Sequence, residues 1–140
     1  MNEDVFLKEP RAMMASFFQS PFYPYTYRRD AGPHMINVPV PARSSAADLR
    51  QIVTEQWLPA LHAHQPQMLF ISAGFDSHRD DPIGDLELLE TDYAWITRQI
   101  MDVADQHAQG RIVSFLEGGY NLSALARSAV AHIRTLANLD

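Results

Sequence analysis

Cysteine is absent from the 140 residues. That removes any disulfide framework and any metal centre built on thiolates, and it fits a reducing compartment. No apolar run is long enough to cross a bilayer, and there is no charge block, low-complexity tract or internal repeat. The opening Met1-Asn2-Glu3-Asp4 is acidic and carries no signal-peptide core. Positive charge is scarce: 11 Lys and Arg stand against 17 Asp and Glu, a net charge of −6. Such a balance argues against a nucleic-acid surface and against a patch for anionic membranes. The expectation is a soluble, cytoplasmic protein with neither nucleic acid nor membrane as partner. What is present is a 46% share of hydrophobic residues, enough for a core, in a length usual for one domain spanning 1–140.

Periodicity divides the chain into strands and helices. Residues 12–17 form a short apolar run that reads as a strand. Residues 18–35, "FQSPFYPYTYRRDAGPHM", gather Phe22, Tyr23, Tyr25 and Tyr27 in an irregular segment. Loops of that length usually serve a site or a partner. Ile36-Asn37-Val38-Pro39 reads as a short edge segment, because Pro39 cannot donate to a ladder. Ser44 or Ser45 caps a helix carrying Leu49, Ile52, Val53 and Trp57, which Pro59 kinks or ends early. A strand at 68–73, apolar on both faces, suits a parallel sheet covered by helices. Thr91 caps the next helix, Gly110 stops it, 111–116 is a further strand, and Asn121 caps the last helix. The resulting order, βαβαβα, predicts an α/β fold with a parallel sheet in three layers. Ligands of such sheets sit at the carboxyl ends of the strands, which is where Asp76, the Gly118-Gly119-Tyr120 turn and Ser16 are expected.

Each candidate has a plain alternative. Asp76, at a strand exit beside Gly74, suits a hard or borderline cation; it equally suits a turn aspartate that accepts backbone N–H bonds. His78 makes an Asp-x-His pair with it, yet opens "HRDD", which reads as solvated. Gly118 and Gly119 let the backbone pass close to a ligand, and Tyr120 could donate to an oxyanion; the same residues serve as a strand-to-helix turn. The clustered aromatics wall a channel or pin their loop to the core. His34, His62, His64, His107 and His132 show no ligand spacing, and His62 and His64 face different ways on a helix.

Taken together, "SAGFDSHRDDPIG", "TDYAW" and "LEGGYNLSALARS" closely resemble the C-terminal half of the histone deacetylase family, nearest to its class II-like bacterial branch with the acetylpolyamine amidohydrolases. "VFLKEPRAMMASFFQSPFYPYT" and "NVPVP" resemble the segment just upstream. The resemblance implies an arginase-like α/β fold and a single zinc ion that serves hydrolysis of acetyl-lysine or acetyl-amine amides, with an acetylated lysine or polyamine as substrate. It implies that Asp76 is a zinc ligand and that Tyr120 polarises the amide carbonyl. Gly118 and Gly119 then admit the acyl-lysine, and Tyr23 and Ile83 line its tunnel. Ser16 and Phe17 would serve one structural potassium or sodium site and Phe6 a second.

The family also carries an Asp-x-His zinc pair and a His-His general-base pair just upstream of the matched region, and this chain has neither. Asp76-Ser77-His78 does not replace them, since Asp76 is already the third ligand. The expectation is therefore a C-terminal piece, from a truncated product, a mis-called start or a split enzyme, inactive alone. A second reading is a non-catalytic remnant that binds an N-terminal half or another copy of itself. A third is a small α/β ligand-binding domain that uses the glycine turn.

Overall fold

The computed structural model describes residues 2–23, 25 and 32–139; Tyr27 and the middle of the aromatic segment lie outside them. A short helix, α1 (Asn2–Phe6), opens the chain. Strand β1 (Met14–Gln19) follows, two residues later than the apolar run suggested. The reason is local: the Ala12 N–H donates to Glu9 O at 3.0 Å in a turn, and pairing begins only where the Met14 N–H reaches His34 O at 2.9 Å. β1 pairs in parallel with β2 (Met35–Val40), Met14 opposite Met35 and Gln19 opposite Val40. The expected edge segment is thus a full strand, and the described residues hold four strands where three were expected. Among the described residues no helix lies between β1 and β2, so the described order is not a plain βαβαβα.

Helix α2 (Ala46–Ile52) starts at Ser45, whose hydroxyl accepts from the Asp48 N–H while Asp48 Oδ2 accepts from the Ser45 N–H at 2.9 Å. This is a capping box. Pro59 does not end the helix. A π turn (Val53–Trp57) carries it into α3 (Leu58–His64), with the Leu58 N–H reaching back to Val53 O. Pro59 then falls in the first turn of α3, where a missing N–H costs least. Leu49, Val53 and Trp57 are buried along this stretch, and the Trp57 ring stacks on Phe17 at 5.2 Å between centroids.

Strand β3 (Leu69–Ala73) pairs in parallel with β4 (Ile112–Leu116), Leu69 opposite Ile112 and Ala73 opposite Leu116. Between them runs α4 (Glu90–His107). Its first turn is held by Asp92, whose Oδ2 accepts from the Leu89 N–H at 2.9 Å, so Thr91 lies inside the helix and does not cap it. Asn121 caps α5 (Leu122–Leu136) as expected, accepting from Ser123 N at 3.1 Å and Ala124 N at 3.0 Å.

Helices α4 and α5 cover one face of β3 and β4, stitched by His132, which bonds Thr97 of α4 at 2.6 Å and Ser114 of β4 at 2.9 Å. Val40, Leu49, Ala73, Phe75, Leu86, Leu88 and Tyr93 form the main core. On the other face, Phe70 and Phe115 stack on each other 6.4 Å apart and remain 65% and 53% exposed. No helix among the described residues is long and apolar enough to cross a membrane.

Candidate functional site

The exits of β3 and β4 are bonded to each other. The Glu117 N–H donates to Ala73 O at 3.0 Å, and the Phe75 N–H donates to Gly118 O at 2.7 Å. This lays the Asp76 carboxylate against the Gly118 backbone: a Cβ on Gly118 would stand 2.5 Å from Asp76 Oδ2. Any larger residue there would have to displace the Asp76 carboxylate. Gly119 follows at φ 138°, a conformation open to glycine and strained for other residues. Tyr120 comes next, 54% exposed.

Asp76 is half-buried, and burial raises its carboxyl above the usual range, helped by the charges of Asp81 and Glu117 and opposed by its own backbone N–H. The Tyr93 phenol oxygen is buried without a hydrogen-bond partner. Burial first, and then the charge of Asp76, pushes that phenol far above the ordinary tyrosine range, so it stays protonated.

The loop after Asp76 departs from the sequence expectation. Only the middle of "HRDD" is solvated: Arg79 and Asp80 are exposed, while His78 is 0% exposed and Asp81 is buried. His78 Nδ1 accepts from the Asp80 N–H at 3.0 Å, and its Nε2 faces Glu90 Oε1 at 3.4 Å. Glu90 in turn pairs with Arg127, which holds its carboxyl below the usual range and also reaches Asp80 at 3.2 Å. Asp81 Oδ1 accepts from Ile83 N at 2.9 Å and Gly84 N at 3.0 Å, while Oδ2 accepts from Tyr120 N at 2.8 Å. Burial raises its carboxyl, but backbone donors from Tyr120, Gly84, Ile83 and Asn121 outweigh that and hold it below the usual range. The signal for this role was present in the sequence: Asp81-Pro82-Ile83-Gly84 has Asp, Pro and Gly at the positions a type I turn prefers.

The structure therefore brings Asp76, Gly118, Gly119 and Tyr120 to one end of β3 and β4, with the half-exposed Ile83 on the same loop as Asp76. Tyr23 is exposed on the segment after β1. Ser16 is not at a strand exit: it lies within β1, and its hydroxyl donates to Asn37 Oδ1 at 2.7 Å. The Phe6 carbonyl accepts from Glu9 N at 2.9 Å. His62 and His107, distant in sequence, meet with ring nitrogens 3.0 Å apart.

Zinc takes three protein ligands and an open position. Among the described residues no three His, Asp or Glu side chains gather to hold a metal. Asp76 is one carboxylate, so this donor set does not by itself hold the ion.

Comparison with known proteins agrees with this architecture. The family model described as "Histone deacetylase domain" matches residues 2–136. Type-2 histone deacetylase 1 of Dictyostelium discoideum is 39% identical over 107 residues, covering 76% of this chain and 7% of that protein. A "Probable deacetylase" of Archaeoglobus fulgidus is 32% identical over 145 residues, covering 99% of this chain and 40% of that one. Among solved structures, the HDA15 HD domain superposes with a TM-score of 0.88 at 26% identity, over 98% of this chain and 41% of that one. The histone deacetylase Clr3 superposes with a TM-score of 0.87 at 26% identity, over 97% of this chain and 24% of that one. The chain spans less than half the length of each of these proteins. Since the matched region runs unbroken through both strand exits and the helices around them, the chain belongs to the histone deacetylase family.

Proposed function

We propose that this chain supplies one part of a zinc-dependent amide-hydrolase site that acts on acetyl-lysine or acetyl-amine substrates, and that the 140-residue chain does not turn over substrate alone. The observation that carries this reading is the half-buried Asp76 carboxylate seated on Gly118, with the exposed Tyr120 two residues further on. In it, Asp76 provides one ligand to zinc, and the remaining ligands and the general base come from outside the described residues. When bound, zinc would supply Lewis acidity toward the amide and an activated water. Tyr120 donates its phenol proton in a hydrogen bond to the amide oxygen as that oxygen gains charge. Gly118 and Gly119 keep the floor clear for the acyl group, and Ile83 and Tyr23 wall its approach. Potassium or sodium near Ser16, Phe17 and Phe6 belongs to the same proposal.

The test uses an acetyl-lysine reporter. The purified chain is expected to give no chelator-sensitive turnover. Coexpression with the part of the Archaeoglobus protein that this chain does not match is expected to restore turnover, and Tyr120→Phe is expected to abolish it. Chelator-sensitive turnover by the chain alone, or restored turnover indifferent to Tyr120→Phe, overturns the reading.

A second reading rests on a different observation. The open face of β3 and β4, with Phe70 and Phe115, suits a non-catalytic fragment that binds another polypeptide. Coexpression that yields a stable but inactive complex would favour it.

A further inference from the structure

We propose that Asp81 is the positioning residue for Tyr120, fixing the spacing between the Tyr120 phenol and the Asp76 carboxylate. The inference rests on the reading of Tyr120 as the group that polarises the amide.

Tyr120 has a problem of support. It follows Gly118 and Gly119, the second at φ 138°, and two glycines in sequence leave the chain free to pivot. Its own side chain is more than half exposed and brings little packing. Something else has to hold its backbone, and the structure offers one group. Asp81 Oδ2 accepts the Tyr120 N–H at 2.8 Å. The carboxylate is buried, and its other oxygen is anchored by Ile83 N at 2.9 Å and Gly84 N at 3.0 Å. Hydrogen bonds to an ionised acceptor are shorter and roughly twice as strong as neutral ones, so this is a firm peg. The neighbouring residue adds a second grip: Asn121 Nδ2 donates to Asp80 O at 3.0 Å. Consecutive residues of the Asp76 loop thus hold consecutive residues of the Tyr120 turn. The distance from Asp76 to Tyr120 is set through the six-residue span 76–81 and one charged hydrogen bond, not by the glycines between β4 and Tyr120.

Asparagine at position 81 isolates that bond. Its single carbonyl oxygen can serve either Ile83 N and Gly84 N, at 2.9 and 3.0 Å, or Tyr120 N at 2.8 Å; the Asn121 N–H acts on the carboxylate electrostatically and makes no bond of that geometry. Keeping two bonds is favoured over keeping one, so the amide NH2 turns toward the Tyr120 N–H and only that bond is lost. The experiment compares the 140-residue chain with its Asp81→Asn variant by residue-resolved amide hydrogen exchange. It adds 19F NMR with fluorotyrosine, the Tyr120 signal being assigned by Tyr120→Phe. The Tyr120 amide is expected to exchange at least about tenfold faster in the variant, with Ile83, Gly84 and the amides of α4 unchanged. The Tyr120 fluorine signal is expected to shift or split. An unchanged Tyr120 amide, or loss of protection at Ile83 and Gly84 together with it, overturns the proposal, because Asp81 would then be a turn residue only. If the variant does not fold, the original chain decides: Tyr120 must exchange at least about tenfold slower than an open loop amide, and random-coil exchange there overturns the proposal. Neither readout needs zinc or turnover. A variant with the expected signature, in a protein whose reconstituted activity ignores Tyr120→Phe, would sink the functional reading and leave the clamp standing.

Discussion

A methyl group on Gly118 would stand 2.5 Å from Oδ2 of Asp76, well inside contact distance. Gly118→Ala must therefore push the carboxylate away or open the turn that bonds Phe75 N to Gly118 O. The expected cost is about 1–3 kcal/mol, as for other overpacked positions, read as a lowered urea midpoint. If Asp76 is a zinc ligand as proposed, the same change is also expected to weaken zinc retention in the reconstituted protein, because Asp76 is the group displaced.

Arg50 reaches Asp92 Oδ1 with both Nη2, at 2.6 Å, and Nε, at 3.0 Å, and lies over the Trp95 ring at 4.9 Å. Asp92 is buried and also holds the first turn of α4. Removing Arg50 leaves that charge with half its partners. A fully buried pair broken in this way costs roughly 3–5 kcal/mol; Arg50 is partly exposed, which lowers the expected loss for Arg50→Ala to about 2 kcal/mol. Arg50→Lys is expected to recover less than half of it, since an ammonium lacks both the planar stack and the second donor. Chemical denaturation of the three proteins checks this.

His132 gives the fold a pH dependence. Thr97 donates its hydroxyl to Tyr93 O at 2.6 Å, so toward His132 it accepts, and the ring carries its proton on Nδ1. Nε2 then accepts from Ser114, and the Phe75 ring packs against the imidazole at 6.0 Å. No charged partner for an imidazolium is among these groups, and burial lowers the ring's pKa from 6.5. Below that value the unfolded chain takes up the proton more readily than the folded one. Stability is therefore fully present above about 6.5 and declines as pH falls toward and through the lowered folded value. Urea midpoints between pH 7.5 and 5 should show the decline, and His132→Asn should reduce the slope.

Phe70 and Phe115 predict association. They leave an exposed apolar pair on one face of the sheet. Sedimentation at micromolar concentration is expected to show oligomers or aggregates of the chain. Phe70→Ser with Phe115→Ser is expected to shift it toward monomer at a cost below about 1.5 kcal/mol, the upper worth of an exposed aromatic pair. A monomer before mutation removes the case for a partner on this face.

Two of the helix caps, strand character and the glycine turn at the β4 exit were legible in the sequence because they depend on neighbours within a few residues; the Thr91 cap was not, since Asp92 reaches back to Leu89 N instead. Ser45, Asn121 and the glycine pair fall in this group. The errors share a different cause. His78 and Asp81 looked solvated because what buries them is distant: beside the local donors Asp80 N, Ile83 N and Gly84 N, Glu90 and the Tyr120 N–H arrive only when α4 and the β4 exit pack against the loop. Local polarity says nothing about such burial. Ser16 was misplaced because the strand's end is set by pairing with β2 and not by its own apolar run. Pro59 misled because a helix can widen one turn to absorb a missing N–H, a response that the residue itself does not encode. His62 and His107 have no spacing rule to find, since their meeting depends on how α3 lies against α4.

The backbone bond between Phe75 and Gly118 has a consequence for anyone recombining this protein with a relative. A chimera whose crossover falls in α4 joins a 74–85 segment from one parent to a 117–121 segment from the other. The peg, the glycine floor and the carboxylate would then come from different lineages and need not be in register. A crossover before 74 or after 121 moves both segments as one cassette. Libraries built with that boundary should yield far more folded members than libraries cut inside it, even though α4 is the longer and more regular place to cut.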